Sequence, residues 1–159
     1  MTAQEFADAI ALLQADHRKI EDLFARFEQT GCDGRREAIA TQICVELKVH
    51  MMIEEEIFYP AFRDKIDGSL IDDAYVEHDC AKALVNDIEA SGADEDYYDA
   101  KMRVLFEKIE RHVTKEERPF DGMFAQCREA DLDRVALRDE MVAPKNELLA
   151  RAESNGSRP

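Results

Sequence analysis

Apolar residues recur along this chain at alternating steps of four and three, the spacing that keeps one stripe of a helix turned toward a core. From about 3 to 30 the stripe runs Phe6, Ile10, Leu13, His17, Ile20, Phe24 and Phe27, a heptad seam. It stops at TGCDGR, where Gly31 and Gly34 break the helix and Asp33 can cap the next one. A second stripe, about 35 to 66, takes Ile39, Ile43, Leu47, His50, Glu54, Ile57 and Ala61. Pro60 should bend or loosen that helix, because it gives no N–H to the residue four back. The turn at Asp67 to Ser69 leads to a third stripe, about 70 to 91, of Ile71, Ala74, His78, Ala81, Val85 and Ile88, ending at Ser91 and Gly92. The fourth, about 95 to 127, carries Tyr98, Met102, Leu105, Ile109, His112 and Glu116, with Pro119 and Met123 continuing it.

Four long amphipathic helices joined by short turns predict an all-α fold, an up-down-up-down antiparallel four-helix bundle over residues 1–128. Residues 129–151 predict a short extra C-terminal helix packing on the bundle or on a partner chain, and 152–159 a disordered tail. The composition suits a single soluble helical domain: 45% apolar and 36% charged, with 6 Gly and 4 Pro in 159 residues. The net charge of −15 argues against a nucleic-acid or anionic-membrane partner, since both need clustered Lys and Arg, and makes a cation the more natural one. No apolar run approaches the roughly 20 residues that span a bilayer. Cys32, Cys44, Cys80 and Cys127 form no CxxC pair, and the N-terminus has neither the basic nor the apolar region of a secretion signal. A cytoplasmic location, as a monomer or homodimer, is the expectation.

The polar residues that interrupt the stripes carry the chemistry. The chain has 4 His, and one falls in the seam of each predicted helix. Residues four apart face the same way, so His50 with Glu54, and His112 with Glu116, each reach one point in the core. Glu55, Glu56 and Glu117 rotate by about 100° per residue away from the seam and read as solvated charges. His17 is followed by Glu21 at the same step, but the heptad phase turns Glu21 outward, making it a surface residue or an outer partner of the site. Cys80, two residues past His78, is turned about 200° away and is not expected to ligate. The helical levels match only in part. Counted from turn centres at Cys32, Gly68 and Gly92, the His17/His50 pair differs by about one turn and the next two pairs by more, so bends or longer turns must absorb the rest.

An unpartnered buried carboxylate costs several kcal/mol, so two in one core require cations or protons. Four imidazoles and two carboxylates are too many for a closed tetrahedral zinc site, yet they suit two adjacent transition-metal ions bridged by carboxylates. Ferritin-like iron oxidation fits poorly, because that site uses Glu-xx-His at a three-residue step, which none of the four histidines has.

Over roughly residues 5 to 125 this pattern resembles the hemerythrin-like (HHE cation-binding) domains: His17, His50-MMI-Glu54, His78 and His112-VTK-Glu116, with Glu55, Phe58 and Pro60 echoing the family's EEExxFxP. The resemblance implies two iron ions, oxo- or hydroxo-bridged, with manganese or zinc as alternatives. It would put His17 and His50 on one ion, His78 and His112 on the other, and Glu54 and Glu116 between them. The oxygen-carrying hemerythrins have a further histidine where Ala74 stands, and an aspartate at a five-residue step where Glu116 stands at four. These departures point away from reversible oxygen carriage and toward the bacterial members linked to nitric oxide, peroxide or redox responses and iron–sulfur cluster repair. The repair proteins typically carry a cysteine-containing N-terminal domain, which has no counterpart here. Tyr75, three residues before His78, is a candidate donor to an open coordination position. Three functions follow: a di-iron sensor or stress protein binding dioxygen, nitric oxide or peroxide; a peroxidase or catalase-like enzyme on the same centre; and a metal-free interaction bundle.

Overall fold

The first long helix begins where an aspartate can serve its free N–H groups: extended Asp8 accepts from the Ala11 amide at 2.9 Å and starts α1, Ala9–Gln29. The computed structural model describes residues 2–31 and 34–156, and no strand occurs among them. After α1 come α2, Gly34–Ile53, a π turn, Glu54–Phe58, and α3, Tyr59–Phe62, which together make one continuous rod. Asp67 accepts from the Ser69 amide at 3.0 Å and opens α4, Gly68–Ala90. Then follow α5, Tyr98–Glu117, α6, Met123–Glu129, and α7, Arg134–Gly156. Packing of α1 on α2, α2 on α4, α4 on α5 and α5 on α1 closes the ring that a four-helix bundle needs. No helix among the described residues is long and apolar enough to cross a membrane.

Several boundaries differ from the periodicity. Residues 3–5 form only a 3-10 turn, and the helix waits for the Asp8 cap. The fourth stripe does not run on to 127. Pro119 drives Arg118 into an extended conformation, φ −54° and ψ 128°, and ends α5 at Glu117. The chain folds back through Phe120, at φ 73°, into the short α6. At the other end, residues 152–156 are helical as the last turns of α7, contrary to the expected disorder of that stretch. They continue a run of good helix formers, Leu148 to Glu153. The Asp33 cap, Cys32 and residues 157–159 lie outside the described residues. The extra helix packs on α1 and α2, and the Asp133 carboxylate caps it at the Val135 and Ala136 amides.

Two apolar clusters fill the bundle, one including Ile20, Phe24, Leu47, Val85 and Leu105, the other including Ile10, Leu13, Phe58, Phe62, Met123 and Met141. Between them lies a polar layer in which His17, His50, Glu54, His78, His112 and Glu116 are each at most 4% exposed. The observed loops remove most of the level mismatch. His50 stands twelve residues before Phe62, the end of its rod, and His78 ten after Gly68; His78 is twelve before Ala90, and His112 fourteen after Tyr98. The turns are centred near 65 and 94, not on the glycines.

Gly122 makes the fold-back from α5 to α6 possible, since a Cβ there would lie 2.3 Å from the Arg118 carbonyl oxygen. Gly122→Ala is therefore expected to destabilise the chain by about 1–3 kcal/mol, the cost of forcing backbone apart. Denaturant melts of the metal-free protein measure it, and an unchanged midpoint would contradict the tight turn.

Candidate metal centre

The rod carrying His50 and Glu54 is not a plain α-helix where it meets the centre. Pro60 has no N–H for the Glu56 carbonyl, and the chain widens there, so the Tyr59 amide bonds to the Glu54 carbonyl five residues back. The five-residue step brings Tyr59 onto the face of Glu54.

Four imidazoles aim their Nε2 atoms at one another. His17 and His50 approach to 3.2 Å, and His78 and His112 to 3.1 Å. Glu54 Oε1 lies 2.9 Å from His50 Nε2, 3.4 Å from His78 Nε2 and 3.9 Å from His112 Nε2. Glu116 reaches His17 through Oε2 and His112 through Oε1, both at 3.3 Å. Each carboxylate therefore spans both histidine pairs. Glu21, by contrast, pairs on the surface with Arg18 at 3.1 Å.

Behind every histidine stands a carboxylate on Nδ1, and behind every carboxylate a base. His17 bonds Glu117 at 2.6 Å, which takes Arg18 at 2.9 Å. His50 bonds Asp16 at 3.1 Å, held by Lys145. His78 bonds Glu55 at 3.0 Å, held by Lys82 at 2.6 Å. His112 bonds Glu77 at 2.7 Å, held by Lys115. Such partners fix the tautomer with the proton outward and the Nε2 lone pair inward, the arrangement that suits metal ligation. Glu55 and Glu117 are thus not the solvated charges that helical rotation predicted: at 16% and 18% side-chain exposure they orient two of the histidines. Glu56 does remain exposed.

Tyr59 is the residue that seam counting missed. Its hydroxyl donates to Glu116 Oε1 at 2.7 Å and lies 3.4 and 3.5 Å from Nε2 of His78 and His112. Only Pro60, which relaxes the turn before it, signalled the change of phase. Tyr75 instead donates to the Glu55 carbonyl at 2.9 Å and packs against the Tyr59 ring.

The inner layer sets acceptors against acceptors. Both oxygens of Glu54 and Oε2 of Glu116 are buried with no hydrogen-bond partner, while the protons of the nearby imidazoles point outward. Positive charge has to enter, as metal ions or as extra protons. Burial works against a second proton on His50, but the Glu54 charge and the bond to Asp16 outweigh it and lift its pKa to about 10. Against burial, His17 is raised by Glu116 and Glu117, and His112 by Glu116, Glu54 and Glu77. Burial would raise the Glu54 carboxyl, yet the charge of His50 and the surrounding imidazoles hold it well below its usual range.

A family model described as hemerythrin HHE cation binding domain matches residues 8–124. The chain superposes with a TM-score of 0.68 on the crystal structure of a hemerythrin HHE cation-binding domain-containing protein from Mycobacterium kansasii, at 22% identity over 94% of this chain and 87% of that one. A Nostoc protein named DNA nickase is 26% identical over 106 residues, which are 67% of this chain. The chain spans 30% of that relative's length.

Metal uptake must displace protons from imidazoles such as His50, so calorimetry near neutral pH in buffers of different ionisation enthalpy should record net proton release. Affinity should climb as pH rises toward about 10 and collapse in acid; pH-independent uptake would contradict the lone-pair arrangement. Wild-type chain should melt higher with excess metal, by about 2.7 kcal/mol at a hundred times Kd, and Glu54→Ala should lose that increment. A variant that keeps it would remove Glu54 from the ligand set.

Proposed function

We propose that this chain, which belongs to the hemerythrin HHE cation-binding domain family, holds two transition-metal ions, iron being the expected metal, and binds or reacts with a small oxidant or gas: dioxygen, nitric oxide or peroxide. The observation that carries the reading is the pair of buried carboxylates, three of whose four oxygens have no donor, each within 4 Å of imidazole nitrogens from both histidine pairs. A metal-free bundle with four core histidines would have no use for this arrangement. His17 and His50 would hold one ion, His78 and His112 the other, and Glu54 and Glu116 would bridge.

Such a pair supplies Lewis acidity and one-electron redox steps when bound. The chain's own side chains supply position and dryness. The outer carboxylates stop the imidazoles from rotating, and Phe58, Met123 and Phe124, each at most 3% exposed, keep bulk water from one side of the polar layer. Tyr59 keeps its proton, because burial and then the charge of Glu116 push its hydroxyl well above the ordinary phenol range. This hydroxyl favours a second reading, turnover of peroxide, for which it would be the proton donor inside the centre. The nicking activity named for the Nostoc relative is not carried over: at a net charge of −15 the surface is set against nucleic acid.

Metal analysis with the visible spectrum of air-purified protein, repeated after dithionite and nitric oxide, tests the reading. About two irons per chain, with charge-transfer bands that bleach on reduction and respond to nitric oxide, is the expected outcome. Folded, colourless protein that takes up no added iron would overturn it.

A further inference from the structure

The four outer supports of the centre are alike in chemistry and unlike in place. Each is a carboxylate on a histidine Nδ1 with a base behind it. Three of the bases belong to bundle helices and reach solvent: the side chains of Arg18, Lys82 and Lys115 are 56%, 38% and 42% exposed. The fourth, Lys145, comes from α7 and is 2% exposed, on an aspartate that is 6% exposed. Among the described residues the Asp16 carboxylate has two partners, Lys145 on Oδ1 and His50 on Oδ2.

Water can take the place of an exposed ammonium, and salt screens it, so a surface base adds little that solvent cannot supply. Neither holds for Lys145. Without that ammonium the Asp16 carboxylate is a buried charge with no cation on Oδ1, and it has to turn out of the core or draw water in. Either movement takes Oδ2 away from His50 Nδ1, the bond that keeps Nε2 facing Glu54 and His17. The basic side chains of α7 also pin it to α1 and to the residues just before. Arg134 Nε donates to Asp8 Oδ2 at 3.0 Å, Arg138 to the Phe6 carbonyl at 2.8 Å, and Lys145 to Asp16. Pro144 gives no N–H to the Glu140 carbonyl, so the helix ladder is interrupted between the arginines and the lysine. α7 packs on the π turn that carries Glu54 as well.

We propose that Lys145 is a positioning residue of the His17/His50 half, and that seating of α7 and occupancy of that half are coupled through Asp16. α7 in place holds Asp16 and His50 for the ion, and by reciprocity an ion there holds α7 in place. The proposal rests on the two-ion reading above and adds a segment outside the family-matched residues 8–124 to what decides affinity. The His78/His112 half, by contrast, draws its outer supports from the bundle alone: Glu55 with Lys82, and Glu77 with Lys115.

Anaerobic titration with ferrous iron, with hydrogen–deuterium exchange on the same samples, tests it. Lys145→Met keeps the stem and removes the charge, and it should weaken one of the two ions about 10- to 100-fold. Lys82→Met should cost less, because water can replace its exposed ammonium. Crystals of Lys145→Met at limiting iron should lose occupancy beside His50 and keep it beside His78. Asp16→Asn combined with Lys145→Met should cost no more than the larger single loss, since one acts through the other. Additive losses would mean that the lysine only props the helix, and would overturn the proposal. In wild type, iron should slow the exchange of α7 amides that open locally by about tenfold. Unchanged α7 exchange would overturn the coupling, and it decides the matter without a variant should Lys145→Met not fold. A folded Lys145→Met that binds both irons as wild type does would also overturn it and leave the two-ion reading standing. Wild type that takes up no iron would overturn both.

Discussion

Two carboxylates inside an apolar bundle set the terms for everything around them. Glu54 and Glu116 lie between two hydrophobic clusters, at most 1% exposed, with three of their four oxygens lacking a hydrogen-bond donor. Leaving them uncompensated would cost several kcal/mol each. The surroundings do not neutralise them from outside. Asp16, Glu55, Glu77 and Glu117, the carboxylates on the histidine Nδ1 atoms, are matched one for one by Lys145, Lys82, Lys115 and Arg18. The outer ring thus balances itself, and two negative charges remain at the centre for cations to meet.

The helices serve that layer as much as the hydrophobic core. The π turn at Glu54–Phe58 gives up regular hydrogen bonding and gains Tyr59 at the centre. The fold-back at Gly122 brings Phe124 flat onto His17. α7 contributes Lys145, 2% exposed, to the support of His50. That lysine lies beyond the 8–124 stretch matched by the family model, so one of the four outer supports comes from the C-terminal helix and not from the bundle proper.

The stripes made the inner layer readable, because a histidine and a glutamate four apart on an apolar seam have no bland explanation in pairs. His50, Glu54, His112 and Glu116 follow from that spacing; His17 and His78 follow from their places on the other two seams. What the spacing could not carry was anything set by a departure from α geometry or by a contact between helices. Tyr59 enters only because Pro60 and the π turn change the phase. Glu55 and Glu117 lie off the seam of their own helices, yet the neighbouring helix presents a histidine nitrogen to each. The level mismatch had the same kind of source: the glycines at 68 and 92 mark where α4 begins and where a loop starts, not the midpoints of turns. Pro119 was visible, but counting it into the stripe hid its effect on Arg118.

The central claim is that two ions sit side by side among these six residues, sharing Glu54 and Glu116. Anomalous diffraction at the iron edge from crystals of loaded protein tests it most directly. The account predicts two peaks about 3.5–4 Å apart, one beside His17 and His50 and the other beside His78 and His112. A single peak, or iron bound only at surface carboxylates with the inner layer metal-free, would contradict it.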